Sequence, residues 1–250
     1  MVGIENKNII NGNNGGKVYC YLNSLMQMLY CMEELKNYTF LESVFSLLNG
    51  KGNSLVNINK SKNNNIINNK YIPAEIIIGI YKGIYPEQNI LTQHSPSEFL
   101  LYTFENKNIN FITKNTDDTI NINLTFYNDY DNFKQEFNKK YDEITKKNYI
   151  KKYMFININK VSSKNNSKPI SNFASLEIKK ICKNCYSTTF SYKLIGAIFY
   201  IDNNHYTFAS YDNEGNVCRY YDDKFIYKSL PDNITLEKNA RILLYKEVFP

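Results

Sequence analysis

Histidine is scarce in this chain: His94 and His205 are the only two among 250 residues. A thiol nucleophile normally depends on a nearby imidazole that accepts its proton. If the protein carries out thiol chemistry, one of these two side chains must act as the base.

Long apolar runs are also missing from the sequence. No segment approaches the roughly 20 apolar residues that a membrane helix requires, and the polar N-terminal residues lack the apolar core of a signal peptide. We therefore expect a soluble protein that is neither exported nor bound to a membrane. Five cysteines, an odd number without a regular framework, favour a reducing compartment, the cytoplasm or the nucleus.

Concentrated positive charge is absent as well. The net charge of +6 comes from lysines scattered through polar stretches, without arginine clusters or aromatic platforms. This distribution favours solubility and argues against a nucleic-acid partner.

The order of the sequence patterns predicts an α+β fold in a single domain, residues 1–250. A helical lobe at about 11–150 precedes a lobe of antiparallel β-sheet at about 151–250. Apolar periodicity predicts helices at 41–48 and 75–85. We expect the active site in the cleft between the two lobes.

Two further segments of the first lobe have distinct patterns. Residues 50–70 are dense in Asn, Lys, Ser and Gly and are predicted to form a long surface loop. Residues 131–144 have the pattern of a charged amphipathic helix. All residues after Tyr153 are predicted to form strands.

Cys20 follows a flexible Asn/Gly run, residues 11–16, and precedes a helical pattern. Apolar residues recur from Leu22 at steps of three and four, which predicts a helix with one buried face. Cys20 therefore lies at or just before the first turn, where unpaired N–H groups and the helix dipole favour the thiolate. The alternative is a buried core cysteine.

His205 lies in the second of three predicted antiparallel strands, 197–201, 205–211 and 217–222. If Glu214-Gly215 form the centre of the second turn, His205 and Asp222 are diagonal neighbours on one face. Asp222 would then orient the imidazole, whereas a slip of one residue would place the two on opposite faces. The alternatives are a structural strand histidine, and a solvated strand end for Asp222 and its neighbour Asp223.

Two stretches resemble the family of ubiquitin-specific proteases. Cys20-Tyr-Leu-Asn-Ser-Leu-Met-Gln27 is similar to its cysteine box, Cys-Tyr-x-Asn-Ser-x-x-Gln. His205-Tyr-Thr-Phe-Ala, followed by Tyr221-Asp222-Asp223, is similar to its histidine and aspartate boxes. Weaker matches at 93–99, 154–160 and 240–245 extend the resemblance over most of the chain. It implies a papain-like α+β fold and the catalytic set Cys20, His205 and Asp222.

The chain departs from the family pattern around the predicted site. The family places an oxyanion-binding Asn five residues before the nucleophile, where this chain has Gly15; Asn14 or Asn13 would serve if the loop is longer. The resemblance implies substrate contacts by Gln93 and Glu98, and by Asn204, which replaces a family Gly. Glu98 would pair with an Arg of the ubiquitin tail, cap the helix that begins near Ser95-Pro96, or do both. His94 is predicted to be structural.

Cys182 and Cys185 have the spacing of zinc ligands, but a second such pair is missing from the sequence. The family carries its zinc-binding fingers before the strand that resembles 154–160, whereas this pair follows it. We therefore expect a compact form that lacks the fingers, with no metal or cofactor, and a strand-edge turn at this pair.

The resemblance implies a thiol-dependent deubiquitinase that cleaves isopeptide bonds after the C-terminal Gly of ubiquitin. We expect a monomer whose partners are ubiquitin and ubiquitinated proteins. One alternative is a peptidase for another modifier such as SUMO, or for a polyprotein. The other is a ubiquitin-binding module of little or no activity, against which the survival of all three triad residue types argues.

Overall fold

The structure is a computed structural model of the chain. It describes residues 2–6, 8–9, 16–17, 19–37, 39–59, 65–88, 90, 94–105, 119–126, 153–160, 175–181, 187–201 and 205–248. The helix predicted at 131–144 lies outside the described residues. Within them, no helix has the length and apolar character needed to cross a membrane.

The first part of the chain is helical, as the periodicity predicts. The main helices are α1 (Cys20–Leu29), α2 (Thr39–Leu48), α3 (Ala74–Ile84) and α4 (Pro96–Glu105), with a 3-10 turn at Glu33–Asn37. The predictions at 41–48 and 75–85 are thus confirmed with small shifts of their ends. Every residue of α1 is buried, its polar residues included, so the helix is central to the fold.

The helical part of the chain also contains short strands. Strand β1 (Gly3–Ile4) pairs with β5 (Lys70–Ile72), which also pairs with β4 (Val56–Asn57). Strands β2 (Asn8–Ile9) and β3 (Gly16–Lys17) pair antiparallel with each other.

The described residues of the segment predicted as a surface loop, 50–59 and 65–70, include regular secondary structure. It contains β4 and Ile66, which is 7% exposed and forms a bridge to Tyr227. Asn68 donates to the Lys224 carbonyl at 2.8 Å and accepts from the Ile226 N–H at 2.8 Å. The side-chain amide thus satisfies backbone groups elsewhere in the fold, a long-range match that composition does not reveal.

The second part of the chain forms an eight-stranded sheet. Its order is β12-β11-β10-β9-β13-β7-β6, and β8 pairs with β9 beside this path. The strands are β6 (Thr119–Phe126), β7 (Tyr153–Lys160), β8 (Ser175–Ile181), β9 (Ser187–Ile201), β10 (His205–Tyr211), β11 (Val217–Asp222), β12 (Phe225–Tyr227) and β13 (Ala240–Val248).

Besides the short strands β3–β5, two elements depart from the predicted division into a helical lobe and a strand lobe. Strand β6 lies within the range predicted as helical and pairs parallel with β7, so the sheet is not wholly antiparallel. Its residues alternate between apolar side chains and Thr or Asn, which is the period of a strand. The second departure is helix α5 (Leu236–Asn239), where Thr235 Oγ1 accepts the Lys238 N–H at 3.3 Å.

Helix α1 packs directly against the centre of the sheet. Met28 of α1 shares one buried cluster with Phe208 of β10. A Cβ at Gly196 of β9 would lie 2.9 Å from the Phe208 ring, so the glycine makes room for this close approach. The packing places the N-terminus of α1 beside the start of β10.

Candidate active site

Cys20 is the first residue of α1 and is 0% exposed. The preceding residue, Tyr19, makes no side-chain cap for the helix. Instead, Asn6 Oδ1 accepts the backbone N–H of Tyr19 at 3.0 Å, and the Tyr19 carbonyl accepts the Asn23 N–H at 2.9 Å. The backbone around the thiol is therefore held from both sides.

The structure brings His205 and Asp222 together. Phe208 pairs with Tyr221 between β10 and β11, and continuing this ladder by one residue places Asp222 diagonal to His205. His205 Nε2 lies 2.7 Å from Asp222 Oδ1, the length of a charge-assisted hydrogen bond. The predicted contact between the two side chains is present.

The turn that produces this register differs from the one predicted. The Gly215 N–H donates to the Asp212 carbonyl at 3.2 Å, so the central pair of the turn is one residue earlier than Glu214-Gly215. Gly215 has φ 85°, a conformation that glycine adopts readily. A bulge between Ser210 and Tyr211 offsets the longer turn by one residue and restores the predicted pairing.

His205 also interacts with the thiol of Cys20. Since Nε2 bonds Asp222, Nδ1, which is buried and has no close hydrogen-bond partner among the described residues, is the ring atom available to the thiol. Burial lowers the pKa of His205, but hydrogen bonds with Asp222 and Cys20, together with the charges of Asp223 and Asp222, outweigh it and raise the pKa to about 10. The imidazole is thus held in its charged form at neutral pH, the form that stabilises a thiolate.

Asp223 is a second carboxylate near the imidazole. Its Oδ2 lies 3.9 Å from His205 Nε2, and its side chain is 10% exposed. Its φ of 50° is in the left-handed region, which Asp tolerates better than most residues. This backbone conformation turns the chain sharply between β11 and β12.

Metal binding is one possible use of this group, because His205, Asp222 and Asp223 offer ligand atoms within 4.8 Å of one another. The 2.7 Å contact of His205 Nε2 with Asp222 Oδ1 has the geometry of a shared proton, and it uses the atoms that a metal would need. The donor set therefore fits a histidine–carboxylate pair better than a metal site. Cys182 and Cys185 lie outside the described residues, so the turn expected there stays a prediction.

Asn6 is a candidate site residue that the sequence analysis did not identify. Its Nδ2 is buried and has no hydrogen-bond partner among the described residues, while its Oδ1 is fixed on the Tyr19 N–H. Strands β2 and β3 lie between Asn6 and Tyr19, and their antiparallel pairing brings the ends of this segment together. The available signal was an Asn preceding a segment able to form a hairpin; Asn13 and Asn14 lie outside the described residues and stay predictions.

Glu98 lies in the first turn of α4 beside α1. Ser95 Oγ accepts the Ser97 N–H at 3.2 Å, as expected for a helix cap. The Glu98 side chain is 65% exposed and its Oε2 lies 3.5 Å from His94 Nδ1. His94 packs against the Tyr21 ring with centroids 5.7 Å apart, consistent with a structural role. Gln93 and Asn204 lie outside the described residues.

Tyr206, next to the candidate base, connects the sheet to α4. Burial and the charges of Tyr200 and Cys20 raise the pKa of Tyr206 to about 12, although the charge of Arg241 and a hydrogen bond with Ser95 lower it. The phenol therefore stays neutral and lies between the thiol and the start of α4.

A helix-borne thiol beside a histidine–carboxylate pair on a sheet is the arrangement of the papain-like α+β fold. Three solved structures have similar folds over nearly the whole chain. The first is an essential yeast splicing factor, 12% identical, with a TM-score of 0.55 over 99% of this chain and 69% of that one. A chain of the Ubp8-Sgf11-Sgf73-Sus1 SAGA DUB module is 10% identical, with a TM-score of 0.55 over 100% and 68%.

The third is the Saccharomyces cerevisiae PAN2 pseudoubiquitin-hydrolase, 10% identical, with a TM-score of 0.53 over 91% of this chain and 82% of that one. At these identities the likeness concerns the fold alone. No curated protein sequence matches the chain.

The family model of ubiquitin carboxyl-terminal hydrolases matches residues 12–245. The chain belongs to this family, and the resemblance predicted from the cysteine and histidine boxes is confirmed at that level. Asn6 precedes the matched stretch.

Proposed function

We propose that this protein is a thiol-dependent deubiquitinase that hydrolyses the isopeptide bond between the C-terminal Gly of ubiquitin and a lysine. Its site would use Cys20 as nucleophile, His205 as base and Asp222 as the group that orients the imidazole. The observation that carries the proposal is the 2.7 Å contact of His205 with Asp222 beside a thiol at the start of α1. Membership of the ubiquitin carboxyl-terminal hydrolase family supports the choice of substrate.

In the first step, the Cys20 thiolate attacks the glycyl carbonyl carbon, and the electron pair of the C=O bond moves onto oxygen. Collapse of this tetrahedral intermediate breaks the C–N bond, and His205 gives the lysine amine the proton it received from the thiol. The resulting thioester is attacked by water, whose proton passes to His205. Release of the ubiquitin carboxylate restores the thiolate.

The oxyanion of both intermediates would be bound by the N–H of Cys20 and by Nδ2 of Asn6. A buried donor without a partner among the described residues is costly in the resting protein, and an oxyanion would supply the acceptor. Because Oδ1 is fixed on Tyr19 at 3.0 Å, the amide is oriented before substrate binds, which is the condition for strong stabilisation of the transition state.

Asn6→Ala is therefore expected to lower kcat by about 10²–10³-fold with little change in KM. The measurement is steady-state hydrolysis of ubiquitin that carries a fluorogenic C-terminal amide. Asn13→Ala and Asn14→Ala are the matched variants, and we expect both to keep near-normal kcat. A loss of kcat in only one of these two variants would instead assign the oxyanion contact to Asn13 or Asn14.

Substrate recognition would depend on the acidic side chain at the start of α4. Glu98 is exposed and is available to pair with an Arg of the ubiquitin tail; Gln93 and Asn204 are proposed as further contacts. We also propose that the protein acts as a monomer in a reducing compartment, the cytoplasm or nucleus, where a catalytic thiol stays reduced.

The identity of the modifier is tested with ubiquitin and SUMO that each carry a C-terminal electrophile. We expect the ubiquitin probe alone to form a covalent adduct of one-to-one mass, which intact-mass spectrometry detects. If only the SUMO probe labels the protein, its substrate modifier is SUMO and not ubiquitin. Labelling by neither, in a protein with a cooperative thermal transition, would contradict the proposed activity.

A ubiquitin-binding module without activity is the second candidate. The observation in its favour is the complete burial of Cys20, which is 0% exposed, because a nucleophile must be reached by its substrate. This candidate predicts ubiquitin affinity without probe labelling. Titration with fluorescent ubiquitin, in parallel with the probe reaction, separates the two.

A further inference from the structure

Residues 2–6, here called the N-terminal strap, connect separate parts of the fold. The Val2 N–H donates to the Leu48 carbonyl at the end of α2 at 2.9 Å, and the Glu5 N–H donates to Ile72 of β5 at 2.8 Å. Both bonds tie the strap to the helical part of the chain.

Side chains strengthen the same attachment. Glu5 Oε2 accepts the Ala74 N–H at the start of α3 at 3.3 Å. Asn23 Nδ2 of α1 lies 3.5 Å from the Ile4 carbonyl, and its Oδ1 accepts the Tyr81 hydroxyl at 2.9 Å. The strap thus has a fixed position relative to the helix that carries Cys20.

On its other side, the strap contacts the turn between β11 and β12. The Ile4 N–H donates to the Asp223 carbonyl at 3.0 Å. A Cβ at Gly3 would lie 2.2 Å from the Lys224 carbonyl oxygen, 2.4 Å from its carbon and 2.8 Å from its Cα. All three are backbone atoms, which cannot rotate away, so only glycine at position 3 permits this contact.

The contacted turn contains the carboxylates that face the imidazole. Asp222 Oδ1 lies 2.7 Å and Asp223 Oδ2 lies 3.9 Å from His205 Nε2. Among the described residues, the other titratable group that interacts with His205 is Cys20 of α1. The strap therefore bridges the nucleophile's helix and the carboxylates of the base.

We infer that Gly3 is a positioning residue for the reaction: its contact with the Lys224 backbone, together with the Ile4–Asp223 hydrogen bond, fixes the distance of the two carboxylates from His205. The inference rests on the proposed function for its catalytic meaning. Its structural part, that the strap fixes the distance of the two carboxylates from the imidazole, does not depend on the substrate.

Gly3→Ala tests this directly, because the added methyl must displace the turn. We expect the pKa of His205 to fall by about 1 or more as its distances to Asp222 and Asp223 increase. The measurement is an NMR titration of the ring protons, which is simple to assign because His94 is the only other histidine. With the ubiquitin substrate, we expect kcat to fall about 10-fold or more and KM to change little.

Ile4→Pro weakens the same contact between the strap and the turn, because it removes the N–H whose hydrogen bond the Asp223 carbonyl accepts. This variant replaces Gly3→Ala in the test if Gly3→Ala does not fold. Gly79→Ala is the control, because it adds a methyl where none of the described atoms lies within 4 Å. This control should keep the wild-type pKa of His205. A wild-type pKa in a folded Gly3→Ala or Ile4→Pro protein overturns the inference. If Gly3→Ala lowers the pKa of His205 but the wild-type protein reacts with no ubiquitin probe, the proposed function is contradicted and the inference about Gly3 stands.

Discussion

Cys20→Ala is expected to abolish hydrolysis, with a fall in kcat/KM of about 10⁵-fold or more. In the proposed mechanism Cys20 alone forms the thioester, so the remaining activity would come only from binding and the oxyanion donors. The variant should still bind ubiquitin, because Cys20 is 0% exposed and its truncation leaves the surface unchanged. Fluorogenic hydrolysis and a ubiquitin-binding titration measure the two properties separately.

Cys218→Ala is the matched control for this prediction. Cys218 is exposed on β11, and its replacement should leave kcat/KM within about 2-fold of the wild-type value. If Cys20→Ala kept most of the activity, or if the probe adduct moved to Cys218, Cys20 would not be the nucleophile.

His205→Gln is expected to have the second largest effect, a fall in kcat of at least about 10⁴-fold. Glutamine keeps a hydrogen-bonding side chain near Asp222, but it cannot carry the proton from the thiol to the leaving amine. The imidazole also stabilises the thiolate, so the rate of Cys20 alkylation at neutral pH should fall as well. Alkylation and hydrolysis rates are measured on the same preparation.

The pH dependence of the wild type follows from the pKa of His205, which is raised from 6.5 to about 10. Because the folded state holds this proton more tightly than the unfolded state, the stabilisation is fully present below pH 6.5 and disappears as the pH rises through about 10. The difference in unfolding free energy between wild type and His205→Gln should therefore shrink between these values. Denaturant titrations at a series of pH values measure it, and the alkaline limb of kcat/KM should lie near pH 10.

His94→Gln is the control for both measurements. His94 packs on Tyr21 and Phe99, and its change should leave the alkaline limb in place. An alkaline limb that moved with His94 instead of His205 would contradict the assignment of the base.

Several features of the site are predicted well because they depend on local patterns. The apolar spacing after Leu22 predicts α1, and the structure only moves its start to Cys20. The alternation around His205 predicts β10 and β11, whose ladder brings His205 within 2.7 Å of Asp222. Side-chain periodicity is imposed by the geometry of helix and strand themselves, so it can be read without knowing the fold.

The predicted register of β10 and β11 was correct, although the turn between the two strands is not the predicted one. The pairing of β10 with β11 matches the predicted register, although the turn is longer than expected and the bulge at Ser210/Tyr211 compensates for it. Turn length and bulge offset one another in the ladder, so the register alone does not identify either of them.

Local sequence patterns predict the helix that carries Cys20, the strand that carries His205 and the family to which the boxes belong. They do not predict that β6 joins the sheet in parallel, that Asn6 lies against Tyr19, or that Gly3 contacts the turn that follows Asp222. Periodicity records which face of an element is buried, whereas contacts between distant segments depend on how the whole chain folds. Asn6 and Tyr19, 13 residues apart, meet only because β2 and β3 pair between them.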